Sequence, residues 1–433
     1  MANPEAPQAP PAAVPAGFRR WALLYLALGL VVSLLLLGAK LLVEQTPLGR
    51  WAGQETRSML VGLLPDFRDR GPDAIVIDIS NLPGGTLDPA SGRLLPTPRA
   101  ELRRIVEVLS ELGPAGIGID IDFSGTERGW IDDDDPGFFD LCLTVNRRLP
   151  VRLGVWRGIS GPPEGWLVLP QYQPLAAAIY FRDTADGRLP IWVAPEGASE
   201  RLLTLGASLA AARKPVAWAK LTRAAGGSSA AGLIFDDITS ATVTIAASEV
   251  RLQMQEALVN HSVLPQLARE SIPYTGADGL RAFGPRIANR FVLVGDVSRA
   301  ADRFVVPGDR RNQPGVLLHA AQAHTIASEP VYELGHGFRV LVDVGIPVLI
   351  MLTVVALRGA SAAVEVHRAE RWLMSGALFL VVLAAVGGLL AFRVFWTDFI
   401  LLVGFLLLHR PLEHALRQRL QAAQARTAGE TGT

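Results

Sequence analysis

A single cysteine, Cys142, stands in 433 residues, which excludes an internal disulfide and any metal cluster built on cysteine. The redox compartment stays open, because exported domains without disulfides exist. Lysine is nearly missing as well. Lys40, Lys214 and Lys220 are the only ones, and arginine supplies the rest of the 41 basic residues. These are balanced by 41 acids, so the formal net charge is zero, and no basic stripe gathers on any segment. A nucleic-acid partner is therefore not expected. Residues 1–17 have almost no bulky side chains and are rich in proline and alanine, so the tail 1–18 reads as disordered.

Apolar length, by contrast, is abundant: half of all residues are hydrophobic, and they concentrate towards the two ends. Within residues 19–43, after Arg19 and Arg20, Trp21–Val43 is an apolar run broken only by Ser33 and Lys40 and long enough for a bilayer crossing, which takes roughly 20 helical residues. Three further segments, at 338–357, 372–391 and 394–408, read the same way, the last being short. Arg358, Arg368 and Arg371 lie between the first two of these, and Arg410, Arg417 and Arg419 follow the last. By the positive-inside rule both termini fall in the cytoplasm. The expectation is a multi-pass plasma-membrane protein whose lipid bilayer contacts come from four helices, one N-terminal and three C-terminal, with residues 44–336 outside the cytoplasm.

Within 44–336 the composition is that of a globular α/β domain with flanking helices around a mixed or parallel sheet. Ala74–Ser80, Ile117–Phe123 and Phe291–Asp296 are short runs rich in β-branched residues, each ending in an aspartate and a loop. A helix over 99–112, with Leu102, Ile105, Val106 and Leu109 on one face, connects the first two, so these strands should be parallel. Pro136 opens a second helix and 151–155 is a further strand. Residues 160–270 give fewer signals: Ile191–Val193, a helix near 201–212 and the alternation at 242–245. A helix from Gly315 to about Ser328 closes the domain.

The carboxyl ends of parallel strands are where open α/β sheets bind ligands. That edge would collect Asp78, Asp120, Asp122 and Asp296, with Arg99, Asp302 and Arg303 nearby, as a ligand site or as an ion-pair network pinning helices and loops to the sheet. His319 reads as a core or capping histidine. The four acids Asp132–Asp135 do not alternate as calcium loops require; Asp135 is expected to cap the second helix, with the others solvated. No catalytic residue, metal or cofactor is assigned.

The order of parts and several motifs resemble the type-2 CHASE domain, an extracellular sensory module of bacterial cyclases and histidine kinases. These are Leu64–Pro72, the strand bearing Asp78, Pro96-Thr97-Pro98-Arg99, Asp120-Ile121-Asp122-Phe123-Ser124, Phe291–Gly295, Asp302–Pro307 and Pro314–Ala320. The similarity spans roughly 60–335, and Asp296 stands where a small residue is more usual. It implies a sensor for an unknown extracytoplasmic ligand. The usual output domain does not follow the last apolar segment, which points to signalling in trans, through a homodimer or a separate cytoplasmic effector. Leu412, Leu416 and Leu420 would provide the contact on an amphipathic helix in the tail 409–433. Two other readings compete. Asp120-x-Asp122 with Ser124-Gly125-Thr126 also resembles the first motif of haloacid-dehalogenase-like phosphohydrolases, and a structural envelope protein would need no ligand.

Overall fold

The computed structural model describes residues 71–84, 96–124, 134–156, 165–181, 187–213, 239–306 and 312–328 almost without gaps, and parts of both ends, the longest being 336–360. Two compact units divide the chain: residues 50–336 with 388–395, and a second unit made of 1–49, 337–387 and 396–433.

The first unit is built on a six-stranded parallel sheet. In chain order its elements begin β1 (Ala74–Asp78), α1 (Arg99–Leu112), β2 (Gly116–Ile119), α2 (Asp135–Asn146), β3 (Val151–Val155) and β4 (Ala176–Ala178). After β5 (Arg188–Pro195), β6 (Leu202–Leu203), α3 (Leu205–Arg213), β7 (Thr239–Ile245) and β8 (Ser248–Leu258) come α4 (Leu264–Glu270), β9 (Ile272–Pro273), β10 (Phe291–Gly295) and α5 (Gly315–Ser328). The main sheet runs β4-β3-β2-β10-β1-β9. β1 and β2 are parallel, as expected, but β10 returns from far along the chain to lie between them, pairing Ile77 with Val294 and Val294 with Ile119.

Both faces of this sheet are covered, which is why its strands read as unbroken apolar runs. One face packs on α1 and α2 through Ile75, Ile77, Ile117, Ile119 and Val294 against Leu102, Ile105, Leu109 and Phe138. Each such side chain contributes about 1.5–3 kcal/mol on burial. The helix α1 stops at Gly113, whose φ of 65° is the left-handed C-cap conformation, and Pro114 prevents its continuation. The other face packs Val76, Phe291 and Leu293 against α3, α4 and α5. A second, antiparallel sheet, β6-β5-β8-β7, joins the edge strand β4 through a bridge between Ala178 and Thr204.

The expected membrane spans are corrected by the structure. Among the described residues no helix is long and apolar enough to cross a membrane. The helix His336–Ala360 is 25 residues long, yet it carries Asp343 and Arg358 and has Pro347 inside it. The uncharged stretch 344–357 rises only about 21 Å, short of a hydrocarbon core of about 30 Å. The segment expected to span at 394–408 begins as a strand, Val394–Phe395, paired with Tyr332–Glu333. The multi-pass placement in a plasma membrane is overturned by the same finding. Parts of the segments 19–43 and 372–391, and Leu412, Leu416 and Leu420 of the tail, lie outside the described residues. Within the second unit, Tyr25 packs with Ile350, Met351 and Val354 in a small cluster of its own.

Candidate functional site

β1, β10 and β2 end in one cross-strand row. Asp78 pairs with Gly295, and the Asp120 N–H donates to the Val294 carbonyl at 2.8 Å. Strands lie about 4.8 Å apart, so Asp78 and Asp120 flank Gly295 at the carboxyl edge. The residues one step earlier, Ile77, Val294 and Ile119, face α1 and α2, and alternation turns Asp78 and Asp120 to the face covered by α5. Gly295 is needed there because a Cβ would sit 2.8 Å from Val316 Cγ2 and 3.2 Å from Asp120 Cβ.

The first turns of α5 lie over this row. His319, with a side chain 1% exposed, holds its Nε2 3.8 Å from Asp120 Oδ1, beyond hydrogen-bond reach, while its Nδ1 has no partner among the described residues. The Phe181 ring lies 4.1 Å from that of His319, centroid to centroid. Asp302 stands at the N-terminus of α5. Its carboxylate lies so close to Gly315 that a Cβ there would meet Oδ1 at 2.8 Å, and the Gly315 N–H donates to the Asp302 carbonyl at 3.2 Å.

Burial dominates the electrostatics. It holds the Asp120 carboxyl well above the usual carboxylate range, with the charge of Asp302 adding to the rise and Arg299 opposing it. Asp302 is raised too, again mainly by burial, while Arg299 and the Gly315 N–H pull it down and Asp296 pushes it up. His319 is lowered to about 3 by burial, so it is neutral near pH 7. The centre of the edge thus holds the buried carboxyl of Asp120, the half-buried one of Asp302 and a neutral imidazole.

The remaining expected residues have separate tasks. Asp78 Oδ1 accepts from the Ser80 and Val297 N–H groups at 2.9 and 3.4 Å, and Asp296 Oδ1 accepts from the Ser298 N–H and hydroxyl, both at 2.7 Å. Both are turn-forming acids at the mouth of the edge. Arg303 donates to the carbonyls of Asn312 and Val297, tying two loops together. Asp122 Oδ1 accepts from the Ser124 N–H, the Ser124 hydroxyl and the Trp156 N–H at 3.0, 2.5 and 3.0 Å. A phosphohydrolase would need Asp122 free as its general acid, and here that carboxylate latches the β2 and β3 loops. Lys214 and Lys220 lie outside the described residues.

Arg99 lies on the other face of the sheet. Its Nε donates to Asp135, its Nη1 donates to the Thr97 carbonyl at 3.2 Å, and its guanidinium sits 4.6 Å from the Phe123 ring centroid. Asp135 is therefore a buried ion partner and not a cap; Asp134 takes the N-cap position, without a capping side-chain hydrogen bond. Asp132 and Asp133 lie outside the described residues. Sequence reasoning missed Arg299, which carries no motif, and the unpartnered state of His319, whose signal was only its place four residues after Gly315. Among the described residues no group of three His, Cys, Asp or Glu side chains could hold a metal ion.

The fold is that of a parallel α/β domain with acids gathered at the carboxyl edge of its central strands. The family model of the CHASE2 domain matches residues 67–358, and the chain belongs to that family, whose members are extracellular sensory domains. Searches of curated proteins and of solved structures give no match.

Proposed function

We propose that the domain is the input half of a signalling system and that it binds a small molecule at the carboxyl edge of the parallel sheet, between the loops after β1, β2 and β10 and the N-terminus of α5. The observation that carries this reading is the state of His319: a buried imidazole whose Nδ1 has no hydrogen-bond partner among the described residues and whose Nε2 stops 3.8 Å short of the Asp120 carboxyl. Buried polar groups left unpaired cost about 1–3 kcal/mol each, and such a cost is maintained at sites where a ligand supplies the partner. Catalysis is not part of the reading, because Asp122 is committed to its loop and no nucleophile with an adjacent base stands at the edge among the described residues.

The test is a melting-temperature screen of the full chain against a metabolite collection, each hit being assayed for turnover by mass spectrometry. The reading requires at least one compound that raises the melting temperature in a saturable way and is recovered unchanged. Conversion of the hit into product would replace the sensor with an enzyme.

A further inference from the structure

The chemistry at the edge selects among ligands. An ionised carboxylate only accepts hydrogen bonds, and a neutral imidazole offers one acceptor nitrogen and one N–H. Asp120, Asp302 and His319 together make a site rich in acceptors, and Arg299 is the cation that acts on both carboxyls. Phe181, packed on His319 and edge-on to Phe304 at 5.5 Å, makes the surroundings apolar and keeps the local dielectric low.

An anion is the ordinary guest of a helix N-terminus, but at α5 that place is taken. The Asp302 carboxylate lies against Gly315, where an incoming carboxylate or phosphate would have to sit. A negative charge beside Asp120 and Asp302 would push both carboxyls further up in a low-dielectric setting, whereas a positive one would offset the cost of ionising them. A metal ion fits poorly as that positive charge. Two carboxyls and one imidazole 3.8 Å away do not form a ligand set among the described residues.

We propose that this edge takes a small organic cation, an amine or a guanidine, whose N–H donors bond to Asp120 and Asp302 and reach the ring nitrogen of His319 that faces Asp120. This rests on the reading of the edge as a ligand site and names the class of ligand. A cation there favours the ionised form of both carboxyls, so any proton they hold leaves the site as it enters. His319 supplies an acceptor and stays neutral throughout.

The experiment compares three probes that share a four-carbon chain, putrescine, butanediol and succinate, on the full chain at millimolar concentration. Putrescine is expected to raise the melting temperature in a saturable way and to release protons into a weakly buffered solution on binding, with butanediol and succinate doing neither. In Asp120→Asn and in Asp302→Asn, each shown folded by circular dichroism, the response is expected to fall at least tenfold in apparent affinity. Asp278→Asn, at a fully exposed carboxylate on a different helix, is expected to keep it. Stabilisation by succinate, or by calcium or zinc chloride, in place of putrescine would overturn the cation assignment and leave the ligand site standing. So would a metabolite hit of neutral or anionic charge that depends on Asp120. No response to putrescine, methylammonium or free arginine also overturns it, and the wider metabolite screen then decides separately whether the edge binds anything.

Discussion

Arg99, the first residue of α1, is paired with Asp135, the first residue of α2, and both side chains are only 2% exposed. The guanidinium lies over Phe123, in the loop that follows β2, so one ion pair fixes two helix starts and that loop together. Removing one partner of a buried pair strands the other charge, at a cost of about 3–5 kcal/mol. Asp135→Ala is expected to lower the unfolding free energy by that amount in urea titration, and adding Arg99→Met to recover most of it. A loss below about 1 kcal/mol would mean that the pair is hydrated and contributes little.

Gly206 sets the approach of α3 to α5. A Cβ at this position would fall 2.4 Å from the His319 carbonyl oxygen and 3.0 Å from the Ala323 nitrogen, both backbone atoms. The same contact carries a buried polar lock, in which Thr204 donates to Gln322 at 2.9 Å and Gln322 donates to the Pro190 carbonyl at 2.7 Å. Gly206→Ala forces the helices apart and is expected to destabilise the domain by about 1–3 kcal/mol. Because α5 also carries His319, hydrogen exchange should quicken along α5 more than along α1.

Asp120 and His319 give stability opposite dependences on pH. Asp120 is raised in the folded chain from 3.8, so above that value the folded state keeps a proton the unfolded state has released, and the stabilisation is lost as pH rises through the folded value. His319 is lowered from 6.5 to about 3, so the unfolded state binds a proton the folded state excludes, and stability is lost as pH falls from 6.5. Above about pH 4, up to the folded value of Asp120 or 6.5, whichever is lower, the two slopes oppose each other. Asp120→Asn is expected to tilt the profile towards greater stability at higher pH, and His319→Gln to tilt it the other way, in urea unfolding across that window. Profiles parallel to that of the unsubstituted chain would mean that neither group changes its protonation on folding.

The parallel core was legible because its signals are local. Ala74–Asp78, Gly116–Ile119 and Phe291–Gly295 are buried on both faces and so read as continuous apolar runs, and the stripe of Leu102, Ile105 and Leu109 repeats at helical spacing. The insertion of β10 between β1 and β2 was not legible, since nothing local records which distant strand fills a gap. The antiparallel sheet was mostly missed for a related reason. β8 alternates Val250, Leu252 and Met254, but it is also rich in Glu and Gln, which favour helix, and its partner β5 lies far away in the chain. At the edge, Asp78 and Asp120 were placed by strand ends alone, whereas the pairing of Arg99 with Asp135 depends on two helix starts meeting in space. The apolar segments of the ends misled because length and hydrophobicity were taken as enough for a crossing, whereas no helix of the described residues is long and apolar enough to cross.

The most direct measurement is hydrogen exchange by mass spectrometry on the full chain, with and without a compound that raises its melting temperature. Binding at the carboxyl edge predicts added protection at 78–82, 120–124, 295–300 and 313–319, and loss of that protection in Asp120→Asn. Protection confined to β5–β8, or unchanged in Asp120→Asn, would contradict the placing of the ligand site at this edge.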